Sequence, residues 1–228
     1  MSPGVVLSLA FLVAVPSLSA APTITHTPLA CLSSTTNTKI TARVEGQPTS
    51  VRVYFHAIGQ TSATCGEYYV EMHRDSKDPA LYGAIMPIPA PDADVVMYQI
   101  RAKSNGGNET AIAPVAATVR KDCVAPALSA ADLQAAQSIV LGLTSPSQKP
   151  VPCKFLCNGI THYITASGDM KPNEECRLLL AGLVGHGTMP PWYRTPEAEF
   201  AAGAIVGAGI GLAIDNGRHH RAPSPARP

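Results

Sequence analysis

The chain has 228 residues, a formal net charge of +1 at pH 7 and only 14% charged residues. So small a net charge gives no reason to expect nucleic acid or a strongly anionic substrate as a partner. With 21 prolines and 18 glycines, the composition favours short strands and turns over long helices, in one domain with appendages or two small domains.

The first twenty residues are arranged like a secretory signal peptide. An apolar run from Val5 to Val15 is followed by Pro16 and then by small residues, which is the order of an apolar core, a break and a cleavage site. No Lys or Arg precedes the run, so the alternative is a buried N-terminal helix. We expect residues 1–20 to be a signal peptide and the protein to be exported to the periplasm or cell surface.

Residues 27–120 are predicted to form an antiparallel β-sandwich. Five segments alternate apolar and polar residues between turn-forming stretches: "KITARVE", "VRVYFHA", "EYYVEMHR", "LYGAIMP" and "VVMYQIRAK". The alternation places Ile40, Ala42 and Val44 together on one face of the first segment. A last strand lies near "TAIAPVAATV", where Pro114 indicates an edge strand or a bulge.

Three of these segments resemble the immunoglobulin-like and fibronectin type III modules of exported bacterial proteins. They are "VRVYFHA", "YYVEM" and "VVMYQIRAKSNGGNET", and in the last a Tyr-x-Ile-x-Ala strand runs into a Gly-rich turn. The resemblance covers about residues 35–119. It implies a sandwich that acts as a spacer, an adhesion unit or a protein-binding domain, although the same fold hosts many roles.

A row of polar and aromatic residues on the other side of these strands could form a recognition face. The row consists of Tyr54, Tyr69, Glu71 and His73, with Arg52 beside it. Tyrosine is favoured at interfaces because its ring adds contact area at low entropic cost. The alternative is an ordinary half-exposed sheet face, which carries such residues anyway.

Six cysteines in an exported chain predict up to three disulfides. They are Cys31, Cys65, Cys123, Cys153, Cys157 and Cys176. Cys31 precedes the first clear strand and Cys65 follows the second, so we expect this pair to bond if the two strands are antiparallel neighbours. One of the later cysteines would then reach Cys123.

The region after the predicted sandwich divides into two parts. Residues 121–152 are predicted to be an Ala-rich helix and a linker, with Ser129 as the helix cap and Asp132 in the first turn. Residues 153–195 are predicted to be a small unit stapled by disulfides, in which "THYIT" is a strand and "EECRLLLAGLVG" a short helix.

The same small unit offers a second interpretation as a metal site. Cys153, Cys157, His162 and Cys176 could be a zinc set, although the second half has no paired cysteine motif. No nucleophile-elbow, paired-carboxylate or phosphate-binding pattern is found in the sequence. We therefore expect neither an enzyme nor a bound cofactor.

Residues 196–215 are predicted to form a Gly-rich apolar helix. The run from Phe200 to Ile214 is about 22 Å long as a helix, shorter than a hydrocarbon core of about 30 Å. Its glycines recur every four residues, at Gly203, Gly207 and Gly211, a spacing that lets membrane helices pack closely. The alternatives are a buried helix or a flexible stretch, and residues 216–228 are expected to be a disordered basic tail.

These patterns together predict a non-catalytic exported envelope protein. It would bind, adhere or scaffold through the sandwich, with an unidentified protein or cell-surface ligand, and be tethered to a membrane near its C-terminus. One alternative is an exported metal-binding or thiol-active protein centred on residues 153–176. Another is an oligomeric membrane assembly subunit that self-associates through the glycine stripe.

Overall fold

The computed structural model describes residues 21–59 and 65–182. These residues form thirteen β-strands and two short α-helices, numbered here in chain order. The strands are β1 (Thr23–Thr25), β2 (Cys31–Ser33), β3 (Thr38–Glu45), β4 (Ser50–Gly59), β5 (Tyr68–Glu71), β6 (His73–Arg74), β7 (Leu81–Met86), β8 (Ala93–Lys103), β9 (Glu109–Ala111), β10 (Val115–Arg120), β11 (Ile139–Leu143), β12 (Ile160–Ile164) and β13 (Met170–Pro172). The helices are α1 (Ala130–Ala135) and α2 (Glu174–Leu180).

The strands build two sheets. The smaller has the order β1-β3-β7-β6, and the larger has the order β13-β12-β11-β5-β4-β8-β10-β2, with β9 also paired to β8. All pairs are antiparallel except β2 with β10 and β11 with β12. The longest ladder joins β4 to β8, from Ser50 opposite Lys103 to Gly59 opposite Ala93. The chain is therefore mainly β, as predicted.

The core lies where the predicted alternation places it. Ile40 and Val53 are fully buried, as are the apolar positions two residues away on the same strands. Inward residues of both sheets belong to one cluster of buried hydrophobic side chains. Alternating apolar positions remove one face of each sheet from water, so the two sheets pack around a common core.

The predicted strand "EYYVEMHR" is divided between the two sheets. Tyr68 and Val70 lie in β5 of the larger sheet, whereas His73 lies in β6 of the smaller one. Met72, at the junction, is buried, and its N–H donates to the carbonyl of Val51. The chain crosses between sheets here while its apolar side chains stay in the core.

The last predicted strand is interrupted at Pro114, in agreement with the expected irregularity. Both β9 and β10 pair with β8, and the break between them spans the proline. Proline has no N–H to donate, so the ladder cannot run through this position unbroken.

Residues 121–152 hold one confirmed and one wrong prediction. Ser129 caps α1: its hydroxyl accepts from the N–H of Asp132, whose carboxylate accepts from the N–H of Ser129. The helix ends at Ala135, however, and the following "IVLGL" forms β11, not helix or linker. Ile139, Leu141 and Leu143 are buried with the period of two of a strand, although the segment directly follows an Ala-rich stretch that favours helix. Strand β11 pairs with both β5 and β12, so the cysteine-containing segment continues the larger sheet.

Three disulfides use all six cysteines: Cys31–Cys123, Cys65–Cys153 and Cys157–Cys176. The expected Cys31–Cys65 bond is wrong, because β3 and β4 belong to different sheets and are not neighbours. Cys31 lies on β2, which runs parallel to β10 and brings it to the chain just beyond β10. The Cα atoms of Cys31 and Cys123 are 6.0 Å apart.

Residues 153–157 are held against the connection between β7 and β8. Phe155 forms a bridge with Pro89, and its ring is 5.0 Å, edge to face, from that of Phe55. The buried ammonium of Lys154 pairs with Asp92 at 2.5 Å. The Cys65–Cys153 disulfide, the aromatic contact and the ion pair together fix this segment to the rest of the fold.

Several predictions concern residues outside the described part of the chain. They are the signal peptide at residues 1–20, the end of the cysteine-containing segment at 183–195, the Gly-rich helix at 196–215 and the tail at 216–228. Of the helices in residues 21–59 and 65–182, none has the length and apolar character needed to cross a membrane.

Candidate functional site

The outer side of the larger sheet carries a compact group of polar and aromatic side chains on β4, β5 and β8 and at the residue just before β5. The strand register sets Tyr54 beside Tyr69 and Gln99, and Arg52 beside Glu71 and Arg101. Side chains at these cross-strand positions are close enough to interact directly. We call this group the Arg–Tyr face; its members are Arg52, Tyr54, Glu67, Tyr69, Glu71, Gln99 and Arg101.

Two arginines stack on two tyrosines across this face. The guanidinium carbon of Arg52 is 4.4 Å from the ring centroid of Tyr69, and that of Arg101 is 4.0 Å from the centroid of Tyr54. The two tyrosine centroids are 5.5 Å apart. Each cation lies within the distance at which an aromatic ring attracts it, so the four side chains hold one another in place.

Carboxylates balance both arginines. Arg52 Nε donates to Glu71 at 2.6 Å, and Arg101 Nη2 lies 3.3 Å from each carboxylate oxygen of Glu67. Arg101 Nε also donates to Gln99 Oε1 at 2.8 Å. The face is therefore polar and hydrogen-bonded but carries little net charge.

The pKa values of Arg52 and Tyr69 are both raised above their ordinary values. Burial acts to lower the pKa of Arg52, but its hydrogen bonds to Tyr54 and Glu71 outweigh that effect and raise the pKa above the ordinary arginine value. Burial also raises the pKa of Tyr69, against a smaller opposing effect of Arg52. The guanidinium stays charged and the phenol neutral, which keeps the cation–ring contact intact.

Tyr69 is the buried member of the face, with only 6% of its surface exposed. Its ring lies over Gly142 on the neighbouring β11, where a Cβ atom would overlap the ring. Tyr54, Arg52 and Arg101 remain partly exposed. Glu67, Glu71 and Gln99 are partly exposed as well, so the accessible contact area of the face comes from the members that surround Tyr69.

The predicted recognition row is assembled only in part. Tyr54, Tyr69 and Glu71 come together, whereas His73 lies on β6 of the smaller sheet, opposite Gly83. The sequence interpretation missed Arg101 and Gln99. The signal was present, because both alternate with buried residues of "VVMYQIRAK" and must point to the outer side.

The four residues considered as a zinc set have other roles. Cys153 is bonded to Cys65, and Cys157 to Cys176, so their sulfurs are not thiolate ligands. His162 is exposed on β12 and contacts the hydroxyl of Thr161 at 3.0 Å. In residues 21–59 and 65–182, no group of three or more His, Cys, Asp or Glu side chains is arranged to hold a metal ion.

A scan against models of known protein families gave no match to this chain, and no curated protein proved significantly similar to it.

Proposed function

We propose that this protein is an exported, non-catalytic module with an immunoglobulin- or fibronectin III-like sandwich, and that it binds a protein ligand through the Arg–Tyr face. The observation that carries the proposal is the double arginine–tyrosine stack on the outer side of the central strands.

The strand order supports an immunoglobulin-like topology. The smaller sheet, β1-β3-β7-β6, follows the A-B-E-D order of such domains, and β5-β4-β8-β10 follows C′-C-F-G. A departure from the antibody pattern is that no disulfide joins β3 to β8; the pair Cys31–Cys123 instead joins β2 to the chain just beyond β10. The likeness thus concerns topology and not the conserved core of antibody domains.

The disulfides support export. All six cysteines are oxidised in three bonds, a pattern typical of proteins that mature in an oxidising compartment. The signal-peptide pattern of residues 1–20 leads to the same compartment.

The chemistry of the face favours a protein ligand. Tyrosine and arginine are enriched among residues that contribute most to binding between proteins. Because Arg52 and Arg101 are already held against rings and carboxylates, little side-chain freedom remains to be lost on binding.

Site-specific cross-linking in the native host tests this proposal. The photoreactive residue benzoylphenylalanine is placed at His56 of the full-length chain, which lies beside Tyr54 on the outer side of β4, and, as the matched control, at the exposed Lys171 on β13. We expect one discrete cross-linked species from position 56, none from 171, and loss of that species when Arg101→Ala is added. Identical products from both positions, or a product unaffected by Arg101→Ala, would contradict the proposal.

We further propose that residues 196–215 tether this module to a membrane. The support is the uncharged run Phe200–Ile214, followed by a tail that contains Arg218, Arg221 and Arg227. Alkaline carbonate washing of membranes compares the full-length chain with one that ends at Glu199. Retention of the first and release of the second is expected; release of both would rule out the tether.

In this proposal the glycine stripe also mediates self-association. Gly203, Gly207 and Gly211 would allow two helices to approach closely. Oligomers of the full-length chain in detergent should be lost on Gly207→Leu and kept on Leu212→Ile, which changes shape but not size. Oligomers that survive Gly207→Leu would argue against this role.

A further inference from the structure

A cleft of about 510 Å³ opens where β5 and β11 separate. These strands pair at only two positions, Tyr69 with Gly142 and Tyr68 with Leu143. Beyond these two pairs the chain leaves β5 and crosses to the smaller sheet. Helix α1 lies beside the cleft, and its Asp132 pairs with Lys39 of β3 at 2.7 Å. The volume is within the range of small-molecule sites, about 300–1,000 Å³.

The floor of the cleft is apolar. Val70, Ala84, Ile85 and Ile139 line it and are all buried. At its rim, Met170 is 62% exposed, unusual for a large hydrophobic side chain in this structure. A floor of this kind would accept an apolar group, which would be removed from water on binding.

Each acidic side chain that lines the cleft already has partners. Glu71 is paired with Arg52 and Asp132 with Lys39. Asp75 accepts hydrogen bonds from two backbone N–H groups of its own turn. These three carboxylates are therefore satisfied without a ligand.

Arg74 differs from the other charged groups of the cleft. Its Nε and Nη2 both donate to the hydroxyl of Tyr82, at 2.9 and 2.7 Å, and this hydroxyl is a neutral acceptor. In the described part of the chain no carboxylate lies within ion-pair distance of Arg74, which is exposed on β6. Its charge is thus not compensated by a direct partner, and a guanidinium can bind a carboxylate through two parallel hydrogen bonds.

We propose that this cleft binds a small amphipathic carboxylate, with its apolar chain on the floor and its carboxylate on Arg74. A singly charged headgroup fits better than a doubly charged one, because Glu71, Asp75 and Asp132 would repel the additional charge. The cleft shares Glu71 with the Arg–Tyr face, but the proposal does not depend on the protein-binding function proposed above.

Titration calorimetry on the full-length protein tests the chemistry of the ligand. The probes are decanoate and decanol below their aggregation limits, since they share a chain length and differ in the charged headgroup. We expect one decanoate per protein and at least about tenfold weaker binding of decanol, as expected for a charge-assisted hydrogen bond. Equal affinities, or no binding of decanoate, would overturn the proposal.

Variants then locate the site. Arg74→Gln should weaken decanoate binding about tenfold and leave decanol unchanged, whereas the control Arg120→Gln, whose arginine pairs with Asp122 at an exposed position, should change neither. Ala135→Leu adds volume at the exposed edge of α1 that lines the cleft, and should weaken both ligands without disturbing the core. If Arg74→Gln and Ala135→Leu both bind decanoate like the wild type, the ligand site is elsewhere and the proposal fails.

Discussion

Gly142 and Tyr69 are opposite each other on β11 and β5, and the tyrosine ring occupies the space that a side chain at 142 would need. The contact fixes the ring on which Arg52 stacks. A glycine in a strand is unfavourable by itself, so the position is explained by this close approach of the aromatic ring.

Gly142→Ala is expected to destabilise the protein by about 1–3 kcal/mol, because the added methyl group must displace the Tyr69 ring. Urea denaturation measures the change. In a protein that already carries Tyr69→Ala, Gly142→Ala should lower the free energy of unfolding far less, since the ring is then absent. Additive effects of the two substitutions would show that the contact is not the cause.

Asp132 links the helix cap to the smaller sheet. Its hydrogen bonds to Lys39 and Ser129 hold the pKa of its carboxyl below the ordinary aspartate value. Because the folded-state pKa is the lower one, the carboxylate adds stability above the unfolded value of about 3.9, and this stability is lost as pH falls through the folded-state pKa.

Asp132→Asn should therefore be less stable than the wild type by about 0.5–1 kcal/mol at pH 7, a typical value for a cap combined with a partly exposed ion pair. The difference should shrink below pH 4 and vanish once the wild-type carboxyl is protonated. Thermal melts from pH 7 to pH 2.5 follow it. A difference that stays constant with pH would assign the loss to packing instead of charge.

At the scale of elements, the segment around Lys154 decides how the C-terminal strands attach. Lys154 has a positive φ of 64° and a side chain that is only 4% exposed, paired with Asp92. Its ammonium also lies 3.3 Å from the carbonyl of Asp92. A buried charge of this kind is tolerated only while its partner is present.

Asp92→Asn is expected to lower the free energy of unfolding by about 3 kcal/mol, because it leaves the buried ammonium of Lys154 without a countercharge. The double variant Asp92→Asn with Lys154→Met should recover part of that loss, since no buried charge remains. Denaturant midpoints of the wild type, both single variants and the double variant measure the coupling. If the double variant loses as much as the two single variants together, the pair is not coupled.

Sequence periodicity was a good guide to the strands that alternate cleanly and a poor one elsewhere. The buried faces of β3, β4 and β8 follow directly from their period of two. Strand β11 was missed because its apolar pattern adjoins an Ala-rich capped helix, where local propensity favours helix. The segment "EYYVEMHR" is divided into β5 and β6 because its two halves pair with strands distant in the sequence, and a local pattern cannot predict such pairing.

The same limit applies to the candidate site and to the disulfides. Tyr54, Tyr69 and Glu71 could be grouped because they alternate on adjacent segments, but the stack of Arg101 on Tyr54 requires the register of β8 against β4. Cysteine pairing required knowledge that β2 runs parallel to β10. Strand β2 has only three residues, too few to show a recognisable alternation in the sequence, so its place in the larger sheet could not be predicted.

At the scale of the whole molecule, the disulfide pattern can be checked directly. Denatured, unreduced protein should contain no free thiol, and proteolytic peptides should link Cys31 to Cys123, Cys65 to Cys153 and Cys157 to Cys176. Mass spectrometry before and after reduction identifies the linked peptides. A peptide that links Cys31 to Cys65, or bound zinc with reactive thiols, would contradict this fold.

The Cys31–Cys123 bond has a mechanical consequence. If the protein is pulled by its two ends, tension enters at residue 31 and passes through the disulfide to residue 123. Much of the chain between them is then held in a closed loop, and it cannot be drawn out to the roughly 3.3–3.6 Å per residue of an extended chain. Pulled by its ends, the oxidised chain should therefore keep most of its two sheets under forces that unravel the reduced chain.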